Sequence, residues 1–156
     1  MKPTPKGWPR LSASVYYDDP HAAIDWLCKA FGFEVRLKVE GDDGTIHHSE
    51  LVFGEALVMV GGTGAGDHHS TDTWRGIAAS PRSLNGANTG ALCLFVDDAD
   101  AHAARAKSAG AVLVREPTTS DYGDDYWSDR SYGATDPEGH LWWFMQRIRD
   151  QKPNAG

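Results

Sequence analysis

His48 and Glu50 stand two residues apart in the stretch Thr45 to Phe53. In an extended strand that spacing points both side chains to one face. A neutral imidazole beside a carboxylate can act as an acid/base pair, can supply two ligands to a metal, or can form a satisfied polar pair with no chemistry at all. The spacing permits all three. Two histidine doublets, His47-His48 and His68-His69, also suggest metal. The second lies beside Asp67 in a glycine-rich stretch and reads as solvated loop. His21 and His102 fall on helical stretches and read as surface residues. Asp129-Arg130 is a charged patch beside Tyr132-Gly133. Its arginine could anchor a ligand carboxylate or phosphonate, or pair with Asp129, Asp136 or another acid. Gly61-Gly-Thr-Gly-Ala-Gly66 follows a strand but lacks the Lys-Ser/Thr of a phosphate loop. No Gly-x-Ser-x-Gly elbow is present. Cys28 and Cys93 both sit in apolar runs and read as reduced, buried thiols, with Cys28 on the inner side of a helix.

The elements that must carry these residues occur twice. Leu11 to Tyr17 alternates and ends in Asp18-Asp19; Ala91 to Val96 is apolar and ends in Asp97-Asp98. Each acidic pair can cap a helix. Pro20 suits a first helical position, Ala23, Ile24, Leu27 and Phe31 make one apolar stripe, and Gly32 supplies a stop. The second helix is predicted over the alanine-rich stretch from Ala99 to Ala109, stopped by Gly110. Strands are then predicted over Phe33 to Val39, Thr45 to Phe53 and Ala56 to Val60, and again over Ala111 to Arg115, Tyr126 to Ala134 and His140 to Gln146. The turns carry Gly41-Asp-Asp-Gly44 and Asp136-Pro-Glu-Gly139. The pattern is strand-helix-strand-strand-strand, twice.

Composition bounds the rest. The 156 residues carry a net charge of −7, with 40% hydrophobic and 24% charged residues, a globular balance. An acidic chain is a poor grip for nucleic acid. The longest apolar run, Ala91 to Val96, is too short for a membrane span. No apolar stretch follows the basic N-terminus, so no secretory signal is expected and the cytoplasm is the expected location. Six tryptophans are a large amount of rigid aromatic surface to place.

The doubled pattern resembles the glyoxalase / bleomycin-resistance / extradiol-dioxygenase (vicinal oxygen chelate) superfamily. The resemblance rests on Tyr17-Asp-Asp-Pro-His-Ala-Ala-Ile24 running to Phe31-Gly-Phe33, on Glu50-Leu-Val-Phe-Gly54, and on Asp136-Pro-Glu-Gly-His140. It implies an α+β fold of two βαβββ modules whose curled mixed sheets form a cup with helices outside. It implies one domain over residues 1–147, made of modules 10–60 and 90–147 joined by a long linker, 61–89, with a polar tail over 148–156. It also implies a homodimer, and a structural role for His140.

Metal-dependent members hold their ligands on cup-facing positions of the first and last strands of each module. Carried over, those positions fall at Ser12, Val58, Ala91 and Trp143, and none of these is a usual ligand. No metal and no cofactor are therefore expected. Taking those positions as cup-facing places Ser12, Ser14, Tyr16, His48, Glu50, Val52, Ala56, Val58 and Val60 in the cup from the first module. The second module adds Ala91, Cys93, Phe95, Leu141, Trp143 and Met145, with Trp127 or Tyr126. Trp26 and Trp142 go to packing, and Trp8 and Trp74 to flank and linker. The expected binding set is Ser12, Ser14, Tyr16, His48, Glu50, Phe95, Trp127, Arg130 and Trp143. The expected function is metal-free binding of an aromatic or cationic small molecule, although the aromatics could equally fill a closed core. The alternative is a lyase, isomerase or dioxygenase with a site displaced to His48 and Glu50.

Overall fold

The computed structural model describes residues 1–64 and 76–152. Asp67, His68-His69 and Trp74 lie outside the described residues. The described chain is α+β, in element order β1 (Ala13–Tyr17), α1 (Pro20–Phe31), β2 (Glu34–Glu40), β3 (Ile46–Phe53), β4 (Ala56–Gly62), then β5 (Leu92–Phe95), α2 (Ala99–Ser108), β6 (Val112–Asp121), β7 (Ser128–Thr135) and β8 (Leu141–Arg149). A short 3-10 turn, Pro81–Leu84, lies in the connection. The chain forms two compact units, Met1–Ala87 and Asn88–Gly156. Each is a βαβββ module with one four-stranded sheet, ordered β1-β4-β3-β2 and β5-β8-β7-β6. In each, the first and last strands run parallel and the other neighbours antiparallel. No helix among the described residues is long and apolar enough to cross a membrane.

The helix ends follow local chemistry. The Asp19 carboxylate accepts from the Ala22 N–H at 3.0 Å, Pro20 fills the first turn, and Gly32 ends α1 at φ 82°. Asp98 caps α2 through the Ala101 N–H at 2.9 Å. Packing is complementary in size. In the first module a bulky stripe on α1 (Ile24, Leu27, Phe31) meets Val15, Leu51, Val58 and Val60 of the sheet. In the second, α2 buries only Ala99, Ala103 and Ala106, and the bulk comes from Tyr132, Trp142 and Phe144, all fully buried. Small helix residues leave room for large sheet residues, which fills the layer without voids.

Three strands depart from the sequence reading. β6 continues through Pro117 to Asp121, because this edge strand takes the proline at an irregularity in its pairing with β7. β8 runs to Arg149, so residues 148 and 149 belong to the sheet and not to a polar tail. Arg149 is held there by Asp121 at 2.5 Å and by the Tyr126 carbonyl at 2.8 Å. β7 starts at Ser128, which leaves Tyr126 and Trp127 in the β6–β7 connection.

The turn before β8 is organised by one buried carboxylate. Asp136 accepts from the Glu138 N–H at 3.0 Å, the His140 N–H at 3.0 Å and the Trp142 indole N–H at 3.1 Å. The His140 ring lies 3.2 Å from its second oxygen. Asn88 pins the start of this module to the same place, donating to the Gly139 carbonyl and accepting from the Leu141 N–H.

Removing the Asp136 carboxylate orphans several buried donors at once. Asp136→Ala is expected to cost on the order of 3 kcal/mol in urea unfolding, against about 1 kcal/mol for the exposed cap variant Asp19→Ala. A smaller loss at Asp136 than at Asp19 would overturn this account of the turn.

Candidate functional site

Each sheet has one face against its helix and one open face, and the strand registers decide which residue goes where. In the first module Ala13 pairs with Val58 and Val15 with Val60, while Leu51 faces Val58 across the other side. These residues share the helix-covered face. Ser14 pairs with Met59 and Tyr16 with Gly61, and Val52 pairs with Leu57. The open face therefore carries Ser14, Tyr16, His48, Glu50, Val52, Leu57 and Met59. The assignment of Ala56, Val58 and Val60 to this face, and of Leu57 and Met59 to the other, is corrected by one residue. Every residue from Ala56 to Val60 is apolar, so the strand carries no alternation from which its phase could be read. Ser12 lies just before β1, half-buried.

On this face His48 and Glu50 do meet. The His48 Nε2 lies 2.9 Å from Glu50 Oε1, so that nitrogen carries the proton, since an ionised carboxylate only accepts. The other oxygen accepts from Arg36 Nε at 2.6 Å. Arg36 sits at a register irregularity of β2, between Val35 and Leu37, which turns its side chain toward Glu50. Its Nη1 donates to the Gly7 carbonyl, and its guanidinium lies 4.8 Å from the centre of the Trp8 ring. The Glu50 side chain is only 7% exposed. Its hydrogen bond from His48, followed by that from Arg36, holds its carboxyl below the ordinary glutamate range. Residues Thr4–Pro9, Val52 and Gly54–Leu57 border a cleft of about 430 Å³, and the N-terminal arm lies beside Leu57, which is buried. Arg36 and Trp8 were missed from the sequence, because nothing local ties either to Glu50.

The second module presents a different surface. Cys93 pairs with Trp143 and Phe95 with Met145, while Gly133 pairs with Trp143 and Asp129 with Arg147. Trp143, Met145 and Arg147 thus form a column along β8 on the open face, flanked by Cys93 and Phe95. The expected placement of Phe95 and Trp143 on one face follows from this register. Gly133 is necessary to it: a Cβ there would lie 2.9 Å from the Trp143 ring and 2.9 Å from a Val114 methyl. The missing side chain lets the indole lie against the backbone of β7. Arg147 lies 5.4 Å from the centre of the Phe95 ring and 5.5 Å from that of Trp127. Its Nε donates to Asp129 at 2.6 Å and its Nη1 to Asp150 at 3.0 Å. A strand ending at Gln146 leaves Arg147 outside it, although Trp143, Met145 and Arg147 stand at the period of a strand, and β8 runs three residues further.

Other expectations are repositioned. Arg130 lies on the helix-covered face beside Gln146 and is taken by Asp100 of α2, at 2.5 and 2.7 Å. It is not brought together with Phe95, Trp127 or Trp143. His102 is not a bare surface residue: its ring shares a hydrogen bond of 2.5 Å with the Tyr132 hydroxyl and stacks 4.5 Å from Phe144. Burial pushes the Tyr132 hydroxyl pKa well up. Cys28 is only half-buried and Cys93 is exposed, so neither matches a buried thiol. Cys93 alternates onto the open side of a short edge strand.

The metal positions of the fold can be tested on side-chain chemistry. With Ala13 opposite Val58 and Leu92 opposite Trp142, the counterpart of Trp143 in the first module is Met59, not Val58. Neither offers an oxygen or nitrogen ligand. Among the described residues no group of three His, Cys, Asp or Glu side chains could hold a metal ion. The residues present do not fit the metal chemistry of the fold.

The chain belongs to the Glyoxalase/Bleomycin resistance protein/Dioxygenase superfamily, whose family model matches residues 11–144. It is 32% identical over 142 residues to the Mycobacterium bovis protein Mb0911c, covering 91% of this chain and 86% of that one. Among solved structures it is similar to TioX from Micromonospora sp. ML1, with 31% identity, TM-score 0.64, and coverage of 88% of this chain and 98% of that one. TnmS3 from Streptomyces sp. CB03234, described as an antibiotic binding protein, shares the fold at 18% identity and TM-score 0.60, over 89% of this chain and 96% of that one.

Two outcomes follow from these geometries. Gly133→Ala is expected to cost about 1–3 kcal/mol and to shift the near-ultraviolet circular dichroism of Trp143 while the far-ultraviolet spectrum is unchanged. An unaltered near-ultraviolet spectrum would contradict the close contact. The lowered Glu50 pKa stabilises the fold above the ordinary glutamate range, and that contribution is lost as pH falls through the folded value. Urea unfolding as a function of pH should therefore show a steeper acid limb for the natural chain than for Glu50→Gln. Parallel limbs would remove Glu50 from the linkage.

Proposed function

We propose that this protein is a small-molecule binding protein of the glyoxalase/bleomycin-resistance type that works without a metal. Its ligand is an aromatic or cationic compound taken on the open sheet faces. The observation that carries the reading is the open face of the second module, where Trp143 and Phe95 lie on one side of the sheet, Gly133 leaves room for the indole, and Arg147 lies near both Phe95 and Trp127. Such surfaces gain most from a flat, apolar guest. Within the first module, Ser12, Ser14, Tyr16, His48 and Glu50 offer hydroxyl, imidazole and carboxylate groups of their own for a ligand. The similar structure described as an antibiotic binding protein shows that this fold can serve as a binding protein, which is in keeping with this reading. A homodimer in the cytoplasm completes the proposal, and light scattering at twice the chain mass of 17.0 kDa would support the assembly.

The enzymatic alternative rests on the 2.9 Å contact between His48 and Glu50. Glu50 is already held by two donors and its pKa is lowered, which makes it a weak base. The aromatic face is therefore the stronger basis.

Titration of an aromatic compound library against intrinsic tryptophan fluorescence tests the binding reading. Hits are expected to weaken by roughly tenfold or more in Trp143→Ala, with folding retained. A library without hits, or stoichiometric Zn, Ni, Mn or Fe that survives dialysis, would overturn the proposal.

A further inference from the structure

The cation that belongs on the aromatic wall of the second module is already there. Arg147 approaches the rings of both Phe95 and Trp127, so an external cation would compete with a tethered one. The guanidinium has five N–H donors. Nε is committed to Asp129, a residue only 7% exposed. Nη1 is held by Asp150, whose side chain is 84% exposed, and such surface pairs contribute little. Nη2 has no partner among the described residues. The end of the fork is therefore available to a planar oxyanion, while its side is anchored to the sheet. In the first module Arg36 donates through Nε to Glu50 and through Nη1 to the Gly7 carbonyl, beside the Trp8 ring, so its Nη1 acceptor is backbone and not an exposed side chain.

We propose that Arg147 reads an anionic group on the ligand, so that the ligand class is a planar aromatic carboxylate or a similar aromatic oxyanion and not a cation. The ligand's oxyanion docks end-on against Nη1 and Nη2, displacing Asp150, and its ring lies along the aromatic surface of Phe95, Trp127 and Trp143. Two parallel N–H···O bonds give both strength and orientation. The carboxylate of Asp129 keeps the guanidinium in place during the exchange. This inference rests on the reading of the face as a binding surface and narrows it to a charge class.

Three probes of one shape separate the two levels. They are 2-naphthoate, 2-naphthylmethanol and 2-naphthylmethylammonium, titrated by calorimetry against the full chain. The expected order of affinity is naphthoate first and the ammonium last. Raising the salt concentration is expected to weaken naphthoate alone. Arg147→Met should weaken naphthoate roughly tenfold and the alcohol by much less. Because that variant leaves Asp129 without its partner, Arg147→Lys serves as a second, which keeps the charge and loses the fork, with an intermediate loss expected. Asp150→Ala removes the competing carboxylate from an exposed site and should tighten naphthoate by up to about fivefold. Equal binding of all three probes, or undiminished naphthoate binding in Arg147→Met, would overturn the role of Arg147 while leaving the binding face intact. Failure of all three probes to bind would overturn both.

Discussion

Strands alternate, and almost everything in this molecule depends on that. Along β8, Trp142, Phe144 and Gln146 go under the helix, while Trp143, Met145 and Arg147 go to the open side. The inner set is committed to the core, with Trp142 and Phe144 fully buried and Gln146 accepting from the Ala99 N–H at the start of α2. A one-residue slip would exchange the two sets and bury a guanidinium under an alanine-faced helix. The buried Asp136 carboxylate guards against that slip. It holds the indole N–H of Trp142 and the backbone of the preceding turn together, so the phase of the strand is set at its first residues. The composition of the open face is what remains after the core has taken its share.

The two modules use the same frame for different surfaces. Ser49 is bonded through its hydroxyl to the backbone of Val60, which extends the β3–β4 register and places Glu50 beside Met59. In the second module Gly133 stands beside Trp143. A buried carboxylate in one module thus corresponds to a bare glycine in the other. Glu50 is paired with the Arg36 guanidinium and bonded to His48, and the surface becomes a polar cluster with Trp8 beside the guanidinium. With Gly133 present, the indole drops onto the backbone and the surface becomes aromatic. Fold alone does not distinguish these outcomes. The difference comes from a single position on the third strand of each module.

What was legible in the sequence was local. The capping aspartates, Pro20, the Gly32 stop and the Asp136 turn each announce themselves within five residues, and together they carry the doubled module. The face assignments were legible only where the strand alternates in polarity. His48 and Glu50 were placed on one face correctly because polar and apolar residues alternate there. Val58 and Met59 were exchanged because their strand is apolar on both faces. Arg130 looks like an anchor in sequence, and only its register beside Gln146 shows that it faces the helix and Asp100. Pro117 looks like a strand end and sits instead at an edge irregularity. Trp8 and Arg36 are 28 positions apart, and no local pattern links them.

The arginines explain why an aromatic surface need not select cations. A π face attracts positive charge, and an aromatic wall read from composition alone suggests a cationic guest. In this chain both open faces satisfy that attraction internally, Trp8 with Arg36 and Phe95 and Trp127 with Arg147. Each guanidinium is then fixed by a carboxylate, buried in the case of Glu50 and nearly so in that of Asp129. Fixing the cation lowers the entropy lost when it is used. Phe95 and Trp127 therefore do two things at once: they present flat apolar area, and they flank a hydrogen-bonding fork. Net charge gives no hint of this, because the acidic excess is carried largely by solvated turns such as Gly41-Asp-Asp-Gly44 and Tyr122-Gly-Asp-Asp125. The local sign at Arg147 is set by which of its carboxylates can leave, and the exposed one belongs to the end of the chain.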